Sequence, residues 1–202
     1  GGKGLLLGGL PGAERGHVVI IGGGQAGGNA ARLAAAIGTR VTVFDQRRDR
    51  MVELRGLGSN VTALYPYKHS IEAAVAAADL LIGAVLIPGT RAPHVVSRSQ
   101  IEGMEPGSVV VDISVDQGGC IETTRPTTYE EPSYKVGEVT HFAVTNMPGA
   151  VPRSASQALS AALIPYLRRL LEPDWRDDPR LSGAMNLAAG ELVYPALRDQ
   201  YL

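Results

Sequence analysis

Apolar residues recur along the chain as short continuous runs, HVVII, VTVF, LLIGAVLI and SVVVDI, each bounded by glycine or polar residues. Runs without alternation are the pattern of strands covered on both faces. They predict strands at His17–Ile21, Arg40–Asp45, Val61–Tyr65, Leu80–Val85, Ser108–Ile113 and Val139–Val144. Between them the spacing becomes helical, over Gln25–Ile37, Asp49–Leu54, Ser70–Ala78 and Ser97–Met104. Ser70 is placed to cap its helix, with Glu72 near the positive end. Strands separated by helices of this length imply parallel pairing, so the expected architecture is α/β with a doubly wound, mostly parallel sheet. After Asn146-Met147-Pro148-Gly149 the pattern changes to one long helix, SASQALSAALIPYLRRLLE, with a kink expected at Pro165. The remaining tail has helical fragments broken by proline and glycine and is too short for a core of its own.

Composition narrows the function classes. With 202 residues, 45% hydrophobic and 19% charged, the chain can bury an ordinary core. A net charge of -1 offers no general attraction to nucleic acid or anionic lipid. No stretch approaches the roughly 20 apolar residues of a spanning helix. The start, GGKGLLLGGLPGAERG, lacks an initiator Met and is too rich in glycine for a signal peptide. One cysteine excludes an internal disulfide and suits a reducing compartment, so a cytoplasmic location is expected. No clustered His/Cys set points to a metal.

The strongest motif is VVIIGGGQAGGNAARLAAAIGTRVTVFD, which puts Gly22, Gly24 and Gly27 in G-x-G-x-x-G spacing between a strand and a helix. Gly22 permits the tight turn, Gly24 lets the backbone approach a diphosphate, and Gly27 allows helix and strand to pack closely. The helix start, with Gln25 and Ala26, supplies N–H groups and positive potential. Asp45 ends the second strand about 20 residues downstream, where a carboxylate accepts the ribose hydroxyls and repels a 2′-phosphate. That favours NAD over NADP, whereas Arg47 and Arg48 could attract the phosphate. Arg50 is a further candidate, with its stem along the adenine. The motif in this context predicts a Rossmann-type dinucleotide site.

Five long segments, GGKGLLLGGLPG, GGGQAGGNAARLA, DLLIGAVLIPGTRAP, VDISVDQGGCIETTRPTTY and TNMPGAVPRSAS, resemble the C-terminal part of the L-alanine dehydrogenase family over nearly the whole chain. The resemblance implies NAD-dependent interconversion of L-alanine with pyruvate and ammonia, and a homo-oligomer, often a hexamer. It implies a domain plan of 1–15 as interdomain connection, 16–150 as NAD-binding domain and 151–202 as the helical part of an incomplete substrate domain. It assigns Asp116 of DQGG to the acid beside substrate and nicotinamide. Val85, Leu86 and Ile113 are assigned to the cofactor's path, and Asn146 and Met147 to a wall near the nicotinamide. The family often has serine near the adenine where this chain has Pro66 and Tyr67. Its substrate-carboxylate Arg and Lys and its catalytic His belong to a segment upstream of GGKG, so this chain is expected to supply the cofactor half.

From the residues alone, Asp116 has two readings. It follows the carboxyl end of a strand, where open α/β sheets bind ligands, and a carboxylate there suits amine chemistry. It could equally cap the glycine turn that follows. Cys120 has no base beside it and is expected to be an inert thiol. His17, His69, His94 and His141 match no catalytic motif; His17 and His141 fall in strands, and His69 and His94 in loops. Two alternatives stay open. One is a protein that binds NAD(H) without turning over alanine. The other is a transhydrogenase-type NAD domain, which typically carries Glu at the position of Asp116.

Overall fold

The computed structural model describes residues 2–87 and 92–201, which form two compact units, 2–87 with 92–145 and 146–201. In the first unit the chain runs β1 (His17–Ile21), α1 (Gln25–Ala36), β2 (Arg40–Phe44), α2 (Arg48–Arg55), β3 (Val61–Leu64), α3 (Lys68–Ala76), β4 (Leu80–Gly83), α4 (Arg98–Glu102), β5 (Val109–Asp112), β6 (Ser133–Val136) and β7 (Val139–Phe142). The sheet order is β3-β2-β1-β4-β5-β7-β6. Every pairing is parallel except β6 with β7. The chain order reverses between β1 and β4, the crevice where such sheets receive ligands.

Alternation along β1 divides the core. Val18 and Ile20 pack with Ala31, Ala34 and Leu54 of α1 and α2, while Val19 and Ile21 pack with Ile71, Val75 and Ile101 of α3 and α4. Burial on both sides explains why the strand reads as an unbroken apolar run, and each such side chain contributes on the order of 1.5–3 kcal/mol. The small residues Gly27, Gly28, Ala31 and Ala34 form the buried stripe of α1, which lets it lie close to the sheet. Its end is a Schellman turn: Gly38 is left-handed at φ 86°, Gly38 N–H bonds Ala35 C=O, and Thr39 N–H bonds Ala34 C=O.

Four local expectations differ from the structure. Helix α3 begins at Lys68, with Tyr67 still extended at φ -70° and ψ 139° as its cap, so Ser70 lies inside the first turn. For the same reason His69 is helical. Helix α4 does start from Ser97, which forms a reciprocal capping box with Gln100, but it ends at Glu102. Strand β6 was not expected at all. It is the outer strand of a hairpin, SYKV-GE-VTHF, whose turn uses Gly137 at φ 58°.

The second unit holds α5 (Pro152–Leu170), α6 (Pro179–Ser182), a two-stranded ribbon of β8 (Leu187–Ala188) and β9 (Glu191–Leu192), and α7 (Pro195–Tyr201). Helix α5 continues through Pro165, and none of its residues is buried. Asp178 caps α6 and joins Arg169 and Arg180 in an ion-pair cluster. Among the described residues no helix is long and apolar enough to cross a membrane.

Candidate dinucleotide site

The glycine turn after β1 is built from close backbone approaches. Gly22 has φ 97° and its N–H bonds Phe44 C=O. A Cβ there would sit 2.5 Å from Ala84 O, at the end of the neighbouring strand β4. A Cβ on Gly27 would lie 1.9 Å from Gly22 O, so the first turn of α1 can close on the loop only without a side chain. Gly24 is different, because an added Cβ would meet nothing within 4 Å. Its open side, with exposed Gln25 and Ala26, leaves the α1 N-terminus accessible to an anion.

Asp45 lies just past β2. Its Oδ2 accepts from Gly23 N–H at 2.9 Å and its Oδ1 from Arg47 N–H at 2.8 Å. Each oxygen keeps a second lone pair, so the carboxylate can still accept a ribose hydroxyl. The exposed Arg47 guanidinium pairs with Asp49 at 2.7 Å. Arg50 reaches back to the glycine turn and bonds the carbonyls of Gly23 and Gly24. Beyond β3, Tyr65, Tyr67 and His69 form an exposed aromatic row with ring centroids 4.9 and 5.9 Å apart.

On the other side of the crevice, Val85 is half-buried and Leu86 is exposed just after β4. Ser114 Oγ donates to Val85 C=O at 2.7 Å, tying the segment after β4 to the turn after β5. That turn is a 3-10 helix, Ile113–Gln117, which carries Ile113 half-buried and Asp116 exposed. Gly22, Gly24, Gly27, Asp45, Val85, Leu86, Ile113 and Asp116 thus all lie at the carboxyl ends of β1, β2, β4 and β5 in the first unit. Asn146 and Met147 open the second unit: Asn146, left-handed at φ 50°, precedes the 3-10 turn Met147–Ala150. Pro88 to Arg91 of the DLLIGAVLIPGTRAP segment lies outside the described residues.

A bracing role in this turn is filled by a residue that sequence reasoning passed over. Asp112, the buried last residue of β5, accepts from Ser114 N–H at 2.9 Å through Oδ1. Its Oδ2 accepts from Cys120 N–H at 2.9 Å, Ile121 N–H at 3.1 Å and Thr124 Oγ1–H at 2.8 Å. A carboxylate ending a fully apolar strand was the available signal, since a buried charge requires such donors. Gly119 is left-handed at φ 78°, and a Cβ on it would meet Asp112 Oδ2 at 2.9 Å. Asp112 therefore braces the DQGG turn, and Asp116 is carried outward on it.

Cys120, His17, His141 and Lys3 are held in structural contacts. Burial first, then the Asp112 charge, pushes the Cys120 thiol up to about 12, which leaves it without nucleophilic thiolate near neutrality. Burial lowers both His17 and His141. Their ring nitrogens are satisfied, His17 by Ala77 C=O and Thr42 Oγ1, His141 by Thr123 Oγ1 and Val139 C=O. Lys3 is bound at 2.7 Å to both Asp79 and Glu105. Burial alone would lower its ammonium, but the two carboxylates outweigh that and raise it.

Residues 1–195 match the family model "Alanine dehydrogenase/PNT, C-terminal domain". Alanine dehydrogenase of Mycolicibacterium smegmatis is 44% identical over 98% of the chain and 54% of its own length. That of Geobacillus stearothermophilus is 46% identical with the same coverage, 98% and 54%. Among solved structures, an L-alanine dehydrogenase superposes with TM-score 0.85 at 48% identity, covering 98% of this chain and 56% of the other. A transhydrogenase from Sinorhizobium meliloti gives TM-score 0.74 at 28% identity, covering 91% and 51%. The chain spans about half the length of the curated relatives it matches.

Proposed function

The chain belongs to the alanine dehydrogenase/PNT C-terminal domain family, and from that premise we propose that it is the cofactor half of an NAD-dependent alanine dehydrogenase, which oxidatively deaminates L-alanine to pyruvate and ammonia and runs the reverse. The glycine turn fits the cofactor's diphosphate: the approaches that exclude a Cβ at Gly22 and Gly27 face protein, while Gly24 faces open space. Gly24, Gln25 and Ala26 N–H groups would hold the diphosphate, and Asp45 the adenosine ribose. Asp45 disfavours a 2′-phosphate, and the Arg47 charge that would welcome one is matched by Asp49. When bound, the nicotinamide supplies the hydride acceptor or donor. Val85, Leu86 and Ile113 would line its path and exclude water, and by the family resemblance Asn146 and Met147 would contribute a wall near it. Asp116 takes the proton released as the substrate amine is oxidised and steadies the cationic iminium character that develops.

The observation that carries this is the pairing of an exposed Asp116 after β5 with an open glycine turn after β1, on either side of β4 at the sheet's carboxyl edge, in a chain 48% identical to a structurally similar L-alanine dehydrogenase. Residues 151–202 would belong to a substrate domain, the assembly would be a homo-oligomer such as a hexamer, and the location cytoplasmic. Fluorescence titration with NADH tests the cofactor part. We expect saturable binding that Gly27→Ala abolishes; unaltered binding in that variant would refute it. Alanine-dependent NADH formation, abolished by Asp116→Asn, tests the activity. Binding without turnover would reduce the function to that of an NAD(H)-binding protein.

A further inference from the structure

Arg50 does something that its place in α2 does not suggest. Its Nε donates to Gly23 C=O at 2.5 Å and its Nη2 to Gly24 C=O at 3.1 Å, while Nη1 pairs with Glu53. The side chain is only 17% exposed. Asp45, five residues earlier on the same connection, holds Gly23 N–H. The turn after β1 is therefore gripped at three backbone atoms by the segment that follows β2. The grip also explains Gly28, which lies outside the G-x-G-x-x-G spacing. A Cβ on Gly28 would sit 2.0 Å from Arg50 Nη2, so only glycine leaves a slot for the guanidinium.

Peptide geometry gives the grip a consequence. The C=O and N–H of a trans peptide point in opposite directions, and no described peptide is cis. With Gly23 C=O turned toward Arg50, Gly24 N–H is turned away from it. With Gly24 C=O held by Arg50 and by Gly28 N–H at 2.8 Å, Gln25 N–H is turned away as well. These are first-turn donors that a helix leaves unpaired.

We propose that Arg50 is a positioning residue for the diphosphate: by holding the Gly23 and Gly24 carbonyls it presets the Gly24 and Gln25 N–H groups for the ligand, and Gly28 is the slot that admits it. This rests on the NAD reading above. Arg50 acts through the backbone, with its fork spent on carbonyls and Glu53. A lysine keeps the charge but cannot reproduce the fork.

Calorimetric titration of the 202-residue chain with ADP-ribose, and an amide-resonance titration with adenosine, separate the possibilities. Arg50→Lys should weaken ADP-ribose about tenfold or more. It should leave adenosine affinity unchanged and shift the Gly24 and Gln25 amide resonances. Gly28→Ala should reproduce the loss, and added to Arg50→Met it should cost little further, because the guanidinium it displaces is already gone and only the 3.2 Å approach to Gly23 O remains. Equal ADP-ribose affinity in Arg50→Lys and wild type overturns the proposal, as do equal losses for both ligands or additive effects of the two sites. If the wild-type chain binds no ADP-ribose, the NAD reading falls too; if it binds and the variants match it, only this inference falls.

Discussion

Replacing Asp112 with Asn changes one atom and should cost more than the same change at Asp116. The carboxylate serves five buried or part-buried donors, two through Oδ1 (Ser114 N–H and the Cys120 thiol) and three through Oδ2. An amide oxygen can keep the set of three, but the new NH2 then faces Ser114 N–H and leaves it unpaired. One buried donor without a partner costs about 1–3 kcal/mol, and three charge-assisted bonds made neutral lose roughly 1 kcal/mol each. A neutral amide is less costly to bury than a carboxylate, so the net loss should be about 2–4 kcal/mol. Asp116→Asn, at an exposed position, should fall within about 1 kcal/mol of wild type. Urea unfolding followed by far-ultraviolet circular dichroism is the assay, with the α/β sheet unit as its main signal. Fluorescence would mislead, since the single tryptophan, Trp175, lies in the second unit. If Asp112→Asn unfolds within about 0.5 kcal/mol of wild type, or Asp116→Asn loses as much as it does, the division of labour between the two acids is wrong.

Cys120, with its thiol near 12 and its side chain buried, should react with a disulfide reagent at pH 8 only after denaturant is added; modification of the folded chain within minutes would contradict that. His17 and His141 are both lowered by burial from 6.5, so below that pH the unfolded chain binds protons that the folded chain refuses. Stability should be full above about pH 6.5 and decline as the pH falls toward the folded values. His141→Gln should flatten part of the decline in a series of urea midpoints, and an unchanged slope would remove His141 from the account.

Strands β1, β2, β4 and β5 were legible because burial on both faces leaves an unbroken apolar run. The glycine turn was legible because part of its spacing encodes a local contact, Gly27 against Gly22 O. Strand β6 was missed for the opposite reason. As an edge strand it alternates exposed Ser133 and Lys135 with half-buried Tyr134 and Val136, and four such residues carry little pattern. Its signal was the short turn at Gly137 beside a run already taken as a strand. Asp112 was overlooked beside Asp116 because its donors come from a turn whose path no local rule predicts. The slot at Gly28 was invisible for a similar reason, since its partner is supplied by another helix. Side chains that brace a loop are chosen by the fold, whereas those that form a strand are chosen locally.

Lys3 has a practical side. It is moored to Asp79 and Glu105, which precede β4 and β5, so it sits under the sheet's amino edge. The glycine turn and Asp116 crown the opposite edge, a strand's length of about 15 Å away. A probe attached near Lys3 would therefore report on the far edge of the sheet and stay clear of the glycine turn.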